Sequence, residues 1–252
     1  MTLRPLDDVP RSVLAGIRLL ATDIDETMTT GGKLQPEVLA AMLRLSHAGI
    51  AIVPVTGRPA GEALGLARYL PTVRMAIAEN GGALVTPDAE IECLAQAPDR
   101  PRLYEAAVHL GRGGKPWVLA PDSFCRVTDV AWLREDREAT QLAEARIEAA
   151  ALGLFLIWSS VHIHLSMHPP DKGLGVLHLC QRLGVPPAEV GTIGDSPNDA
   201  GLWVAGRFGL TVGTAAVPAQ AKSLDHLPDY VTQGDAGTGW LQLAQRLLDA
   251  RA

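Results

Sequence analysis

From Ile17 onward the chain alternates short, wholly apolar runs with stretches whose apolar residues recur at helical spacing. That pattern builds βαβ units and a parallel sheet buried on both faces. Ile17 to Thr22 reads as the first buried strand. Pro36 then opens a helix in which Val38, Leu39, Met42 and Leu45 share a face, and Gly49 stands where a left-handed cap would end it. Ile50 to Val55 is the second strand, Ala60 to Leu70 the next helix, and Val73 to Ala78 a third strand that runs into Glu79-Asn80-Gly81-Gly82.

The rhythm changes between about Ala83 and Met167. Here the pattern predicts two hairpin strands (Trp117 to Ala120 and Arg126 to Val130), a helix from Glu135 to Leu152, and two adjacent strands (Leu154 to Ser159 and Val161 to Met167). Neighbouring strands with a helix on one side read as a small α+β module. The βα alternation then resumes with a helix at Leu174 to Leu183, strands at Glu189 to Ile193 and Phe208 to Val212, and a closing helix at Gly239 to Leu248. The expected organisation is an α/β core with a Rossmann-like parallel sheet, made of residues 1–83 and 168–252, with an α+β cap inserted over 84–167.

Charge and composition narrow the functional classes. The 252 residues carry 22 Lys plus Arg against 28 Asp plus Glu, a formal charge of −6 that excludes a strongly basic nucleic-acid arm. Tryptophans such as Trp117, Trp132 and Trp158 lack the basic stripe of a base-stacking platform and read as packing residues. Cys93, Cys125 and Cys180 are widely separated and form no CxxC pair, which argues against a disulfide scaffold or a thiolate zinc site and fits a reducing cytosol. The N-terminus lacks a secretory design, and no apolar run approaches the roughly 18–20 residues that span a bilayer. The expectation is a cytoplasmic protein with neither a membrane nor a nucleic-acid partner; monomer and homodimer both stay open.

In open α/β sheets ligands bind beyond the carboxyl ends of the strands. The first strand ends in Asp23-Ile24-Asp25-Glu26-Thr27, the second in Thr56-Gly57-Arg58, and the strand from Glu189 in Gly194-Asp195-Ser196-Pro197-Asn198-Asp199; Asp171-Lys172-Gly173 follows the close of the insertion. Asp23, Asp25, Asp195 and Asp199 at one sheet edge would repel one another unless a cation answers them. Oxygen donors alone suit Mg²⁺ and a phosphate substrate. An aspartate can attack phosphorus, a second carboxylate two residues on can act as general acid and base, and Thr56 and Lys172 can hold the phosphoryl oxygens.

Asp23-x-Asp25-x-Thr27, Thr56, Lys172 and Gly194-Asp195-x-x-Asn198-Asp199, in that order, resemble the four signature motifs of the haloacid dehalogenase superfamily of phosphatases. The insertion between Thr56 and Lys172, preceded by Glu-Asn-Gly-Gly, is similar to the subgroup with a large α/β cap. That subgroup includes Cof-type sugar phosphatases, sucrose-phosphate phosphatase and, closest in wording, archaeal-type phosphoglycolate phosphatase. The resemblance implies Asp23 as nucleophile and Mg²⁺ ligand, and Asp25 as general acid/base that offers its backbone carbonyl to the metal. Asp195 would be the other carboxylate ligand, with Asp199 supporting the metal shell and Asn198 positioning Lys172 or the phosphate. Thr56, Gly57, Arg58, Asn80, Arg126, Lys172 and Asn198 are the expected substrate contacts. The expected substrate is a small phosphorylated metabolite, phosphoglycolate first and a sugar phosphate second. Two positions depart from the family: Glu26 replaces a usual Gly, and Gly213-Thr214-Ala215 replaces a common Gly-Asn-Ala.

Plainer readings stand beside these. Asp171 reads as a local cap or turn residue, Arg58 also as a solvated helix start, and Arg126 as either an anion-binding residue or an exposed strand arginine. His162, His164 and Ser166 share one strand face; a zinc site there lacks a third ligand, so the face looks toward the active site or solvent. The alternatives to a phosphatase are a catalytically silent phospholigand-binding protein, for which Glu26 is the only support, and a haloalkanoate dehalogenase, which would need neither Asp25 nor a metal.

Overall fold

The computed structural model describes residues 3–86, 88, 90–112 and 114–251. In chain order it contains β1 (Arg4–Pro5), α1 (Arg11–Gly16), β2 (Leu19–Thr22), the short hairpin β3 (Thr29–Thr30) and β4 (Lys33–Leu34), α2 (Pro36–His47), β5 (Ala51–Pro54) and α3 (Ala60–Tyr69). Next come β6 (Ala76–Ala78), β7 (Ala83–Val85), β8 (Ile91–Cys93), α4 (Arg100–Leu110), β9 (Asp129–Leu133), α5 (Ala139–Ala151), β10 (Phe155–Trp158) and β11 (His162–Ser166). The chain closes with α6 (Lys172–Leu183), β12 (Val190–Gly194), β13 (Leu210–Gly213), α7 (Val217–Gln220), β14 (Tyr230–Val231) and α8 (Ala236–Asp249).

The central sheet runs β1-β14-β13-β12-β2-β5 with every pairing parallel. Alternation along β2 explains its two-sided burial. Leu20 packs with Ile52, Met42, Leu45, Trp240 and Leu243 on the α2 and α8 side. Leu19 and Ala21 pack with Val53, Val176, Leu179 and Trp203 on the α6 side. Single parallel bridges from Ile52 to Val73 and from Val55 to Ile77 carry the pairing on toward β6, which continues antiparallel into β7 and β8.

The α+β part is built on β10-β11-β9, all antiparallel, with α4 and α5 on one face. Its apolar cluster is separate from those of the central sheet: Val130, Trp132, Ile163 and Leu165 pack on Leu103, Ala107, Leu142 and Ala149. Because successive strand residues point to opposite faces, His162, His164 and Ser166 lie on the side away from that cluster.

Several local expectations needed revision. The strand expected at Arg126 to Val130 begins at Asp129, because the Val127, Thr128 and Asp129 N–H groups all donate to the Glu79 carboxylate. Trp117 to Ala120 contributes only a bridge from Leu119 to Trp132 before Pro121 starts a 3-10 turn. The helix expected from Glu135 starts at Ala139, behind a Glu138/Gln141 capping box, and Glu135 itself sits at φ 51°. Helix α4 was not foreseen; Pro101 falls in its first turn, where a missing N–H costs nothing, and Asp99 caps it.

Candidate active site

The site grows from the carboxyl ends of three neighbouring strands. Thr22 at the end of β2 is level with Ile193 on β12 and Pro54 on β5. The residues just beyond, Asp23, Asp195 and Thr56, therefore emerge side by side. Asp23 N–H still donates to Ile193 O at 2.9 Å and Val55 N–H to Thr22 O at 2.7 Å, so the strand geometry continues into the site.

Asp23, Asp195 and Asp199 offer carboxylate oxygens within 4.8 Å of one another, the only such close group of three acidic, His or Cys donors among the described residues. His162 and His164 take no part in it. All three aspartates are buried. Burial, the Asp199 and Asp25 charges, and only partial relief from Lys172 push the Asp23 carboxyl up to about 7. Asp195 is raised well above the carboxylate range by burial and by Asp199 and Asp23.

Lys172 is the internal cation. It is the first residue of α6, fully buried, and its Nζ donates to Asp23 Oδ1 at 2.5 Å and Asp199 Oδ1 at 2.6 Å. Burial alone would lower its pKa, but Asp199 and Asp23 outweigh that and raise it, so it stays charged. Asp171 caps the helix through Leu174 N–H and pairs with Arg207, as its plainer reading expected. Close approach fixes this helix start: at Gly81 (φ 98°) an added Cβ would lie 2.2 Å from Asp171 O.

Asp199 is a scaffold as much as a charge. Its Oδ2 accepts from Asp195 N–H at 2.9 Å and Ser196 N–H at 3.0 Å, leaving Oδ1 to Lys172. Thr27 Oγ1 donates to Asp195 Oδ1 at 3.3 Å. Asp25 stands apart from this cluster, with both side-chain oxygens held by Arg58. Thr56 is fully buried, and its hydroxyl accepts from Arg58 N–H at 3.0 Å.

The other expected residues fall into two networks. Asn198 accepts from Ser196 Oγ and donates to Asn80 Oδ1 at 2.9 Å; it makes no hydrogen bond to Lys172. Arg126 has no exposed side-chain surface. Its Nη groups donate to the Gly57 carbonyl at 2.9 Å and to Asp129 and Asp122, each at 3.0 Å, so it braces the cap against Gly57.

Glu26 accepts the turn that a glycine would make, at φ 56°, and its carboxylate leaves the site to accept from Gly32 N–H at 3.1 Å. Thr214, at the other departure, is buried and donates its N–H to Gly194 O.

Sequence reasoning missed three residues here. Glu79 is buried at φ 51°, and its carboxylate accepts from the Ala60, Val127, Thr128 and Asp129 N–H groups and from Thr128 Oγ1. It thereby ties the start of α3 to the entry of the cap. Asp129 is paired with Arg126 and with His164 Nδ1 at 2.8 Å. Gln220 donates to Asp195 O at 3.1 Å. The Glu79-Asn80-Gly81-Gly82 segment and the period-two pattern around His164 pointed toward part of this.

Comparisons with known proteins agree with this geometry. The haloacid dehalogenase-like hydrolase model matches residues 20–106 and 122–232. A phosphoglycolate phosphatase from Pyrobaculum neutrophilum is 33% identical over 243 residues, covering 94% of this chain and 98% of its own. One from Methanothrix thermoacetophila is 29% identical over 232 residues, covering 92% and 97%. Among solved structures, a Thermoplasma acidophilum protein superposes with a TM-score of 0.74 at 18% identity, over 92% of this chain and 98% of that one. The sucrose-phosphatase of Synechocystis superposes with a TM-score of 0.66 at 17% identity, over 91% and 97%.

Proposed function

This chain belongs to the haloacid dehalogenase-like hydrolase family, and within it we propose a Mg²⁺-dependent phosphatase that hydrolyses a small phosphorylated metabolite through an aspartyl-phosphate on Asp23. The observation that carries the reading is Lys172 Nζ wedged between Asp23 and Asp199 beside the Asp195 carboxylate. Such a cluster is costly to bury without an ionic ligand.

The donor set is all oxygen and fits a hard divalent cation. Asp23, Asp195 and the Asp25 carbonyl would hold it, with Asp199 in support. When bound, it neutralises charge on the phosphoryl oxygens. An Asp23 oxygen attacks phosphorus, the bond to the leaving oxygen breaks, and Asp25 gives that oxygen its proton. Asp25 then takes a proton from water as the water attacks the aspartyl-phosphate, which frees inorganic phosphate and restores Asp23. Lys172 and Thr56 hold the phosphoryl oxygens throughout. Both Asp25 oxygens rest on Arg58 in the free protein, so that pair has to loosen for proton transfer.

The relatives' names support phosphoglycolate as substrate, and the sucrose-phosphatase likeness keeps a sugar phosphate beside it. Residues 84–167 would act as the cap that selects between them. Phosphate release from p-nitrophenyl phosphate and phosphoglycolate, with Mg²⁺ and with chelator, tests the reading. Hydrolysis that requires Mg²⁺ and is lost in Asp23→Asn supports it; hydrolysis indifferent to chelator, or retained by Asp23→Asn, overturns it.

A further inference from the structure

We propose that His164, on cap strand β11, sets substrate specificity by accepting at Nε2 a hydrogen bond from a hydroxyl of the substrate's leaving group. The proposal rests on the phosphatase reading above and narrows its substrate class to hydroxyl-bearing phosphate monoesters, such as polyol or sugar phosphates.

The protonation pattern follows from the neighbours. Asp129 is buried with one oxygen 3.0 Å from Arg126 Nη1 and the other 2.8 Å from His164 Nδ1. Burial would raise the Asp129 carboxyl, but Arg126 and His164 outweigh it and bring it down to about 2. An ionised carboxylate only accepts hydrogen bonds, so Nδ1 carries the ring proton. Burial opposes a second proton on His164. Nε2 is therefore a bare acceptor.

That acceptor has no partner among the described residues, although His164 is only 2% exposed. It packs against Gly57. A Cβ placed on Gly57 would lie 3.3 Å from His164 Nε2, 3.1 Å from Asn80 Oδ1 and 3.3 Å from Asn198 Nδ2. Gly57 directly follows Thr56, so Nε2 lies close to the proposed phosphate position. Asn80 also presents an unsatisfied donor, since its Nδ2 is buried without a partner while its Oδ1 is taken by Asn198.

An orphan acceptor and an orphan donor thus come from two residues that both pack against Gly57. A hydroxyl both donates and accepts, so it can satisfy both. A carboxylate has acceptors only; it can engage Asn80 but confronts the Nε2 lone pair, and leaving either buried group unmet carries a penalty.

The experiment compares glycerol 1-phosphate, phosphoglycolate and p-nitrophenyl phosphate as substrates of the Mg²⁺-loaded full chain and of two variants. His164→Asn keeps a donor toward Asp129 and removes the Nε2 acceptor; His164→Gln puts an amide oxygen near the Nε2 position. Wild type should favour glycerol 1-phosphate over phosphoglycolate in kcat/KM. His164→Asn should cut that preference about ten-fold, mainly through KM, the scale of one hydrogen bond, and His164→Gln should restore part of it. A wild type that prefers phosphoglycolate, or a His164→Asn loss equal for all three esters, overturns the role of His164 while leaving the phosphatase reading intact. A wild type that hydrolyses none of the three overturns both.

Discussion

A single guanidinium holds both side-chain oxygens of Asp25: Arg58 Nε donates to Oδ2 at 2.8 Å and Nη2 to Oδ1 at 2.7 Å. A fork on a carboxylate fixes its plane as well as its position. If Arg58 acts by holding Asp25 in place until the pair loosens, its loss matters only while Asp25 can serve as acid and base. Asp25→Asn should lower kcat by about 10²–10⁴, the usual worth of a general acid. Arg58→Ala should cost about ten-fold, and the double variant should be no slower than Asp25→Asn alone. Steady-state kinetics on p-nitrophenyl phosphate decide the matter: losses that multiply would place the effect of Arg58 elsewhere.

Lys172 offers a stability test as well as a kinetic one. Its ammonium lies 2.5 Å from Asp23 and 2.6 Å from Asp199 with none of the three side chains more than 5% exposed. Lys172→Met keeps the volume and strands two carboxylates. Breaking a buried pair this way costs about 3–5 kcal/mol. At a pH well above the Asp23 value of about 7, urea unfolding in chelator should show that loss, and added Mg²⁺ should recover part of it, because the cation takes over some of the neutralisation. A loss under about 1 kcal/mol would mean that the aspartates bind protons instead.

Glu26 is held at φ 56°, a left-handed conformation that costs a non-glycine residue about 1–2 kcal/mol. The exposed bond from Gly32 N–H to its carboxylate offsets only part of this. Glu26→Gly should therefore stabilise the fold by about 0.5–1 kcal/mol, within the range seen when a residue is matched to its backbone angle. Because the Glu26 carboxylate is turned toward Gly32, kcat should change less than two-fold, in keeping with the modest effect of a group outside the reacting centre. Thermal unfolding and kinetics measured together would expose any part Glu26 plays at the leaving group.

Asp23, Thr56 and Asp195 were legible because each follows directly from chain order: neighbouring strands end in a shared plane, and what comes next lands at one edge. The polar pairings were less so. Arg58 is one residue from Gly57 in sequence, but its grip on Asp25 depends on a side-chain conformation that spacing does not encode. The Asp129–His164 pair was hidden more deeply. Its strand was expected to start at Arg126, and the start shifts to Asp129 because Glu79, far away in sequence, captures the intervening N–H groups. Local periodicity carries no trace of such a long-range acceptor. Helix α4 has no counterpart in the pattern read from the sequence; its Pro101 sits comfortably in the first turn.

The raised Asp23 carboxyl gives a pH signature with a definite sign. Its ordinary value is 3.8, and burial, aided by Asp199 and Asp25 and opposed by Lys172, moves it to about 7 in the folded chain. The folded state therefore binds the proton more tightly than the unfolded chain does. The stability this contributes is fully present below the unfolded value of 3.8 and is lost as pH rises through about 7. Other groups titrate in the same range, so the informative quantity is wild type minus Asp23→Asn, which cannot ionise at this position. In chelator that difference should fall with pH by up to about 1.4 kcal/mol per unit, the slope of one proton. In saturating Mg²⁺ the cation takes the place of the proton and the fall should vanish for wild type, with Asp23→Asn responding weakly to the metal. Urea melts across this range, with and without Mg²⁺, give both slopes. A difference that stays flat in chelator would show that Lys172 already neutralises Asp23 in the metal-free fold, and that the carboxylate is ionised before the cation arrives.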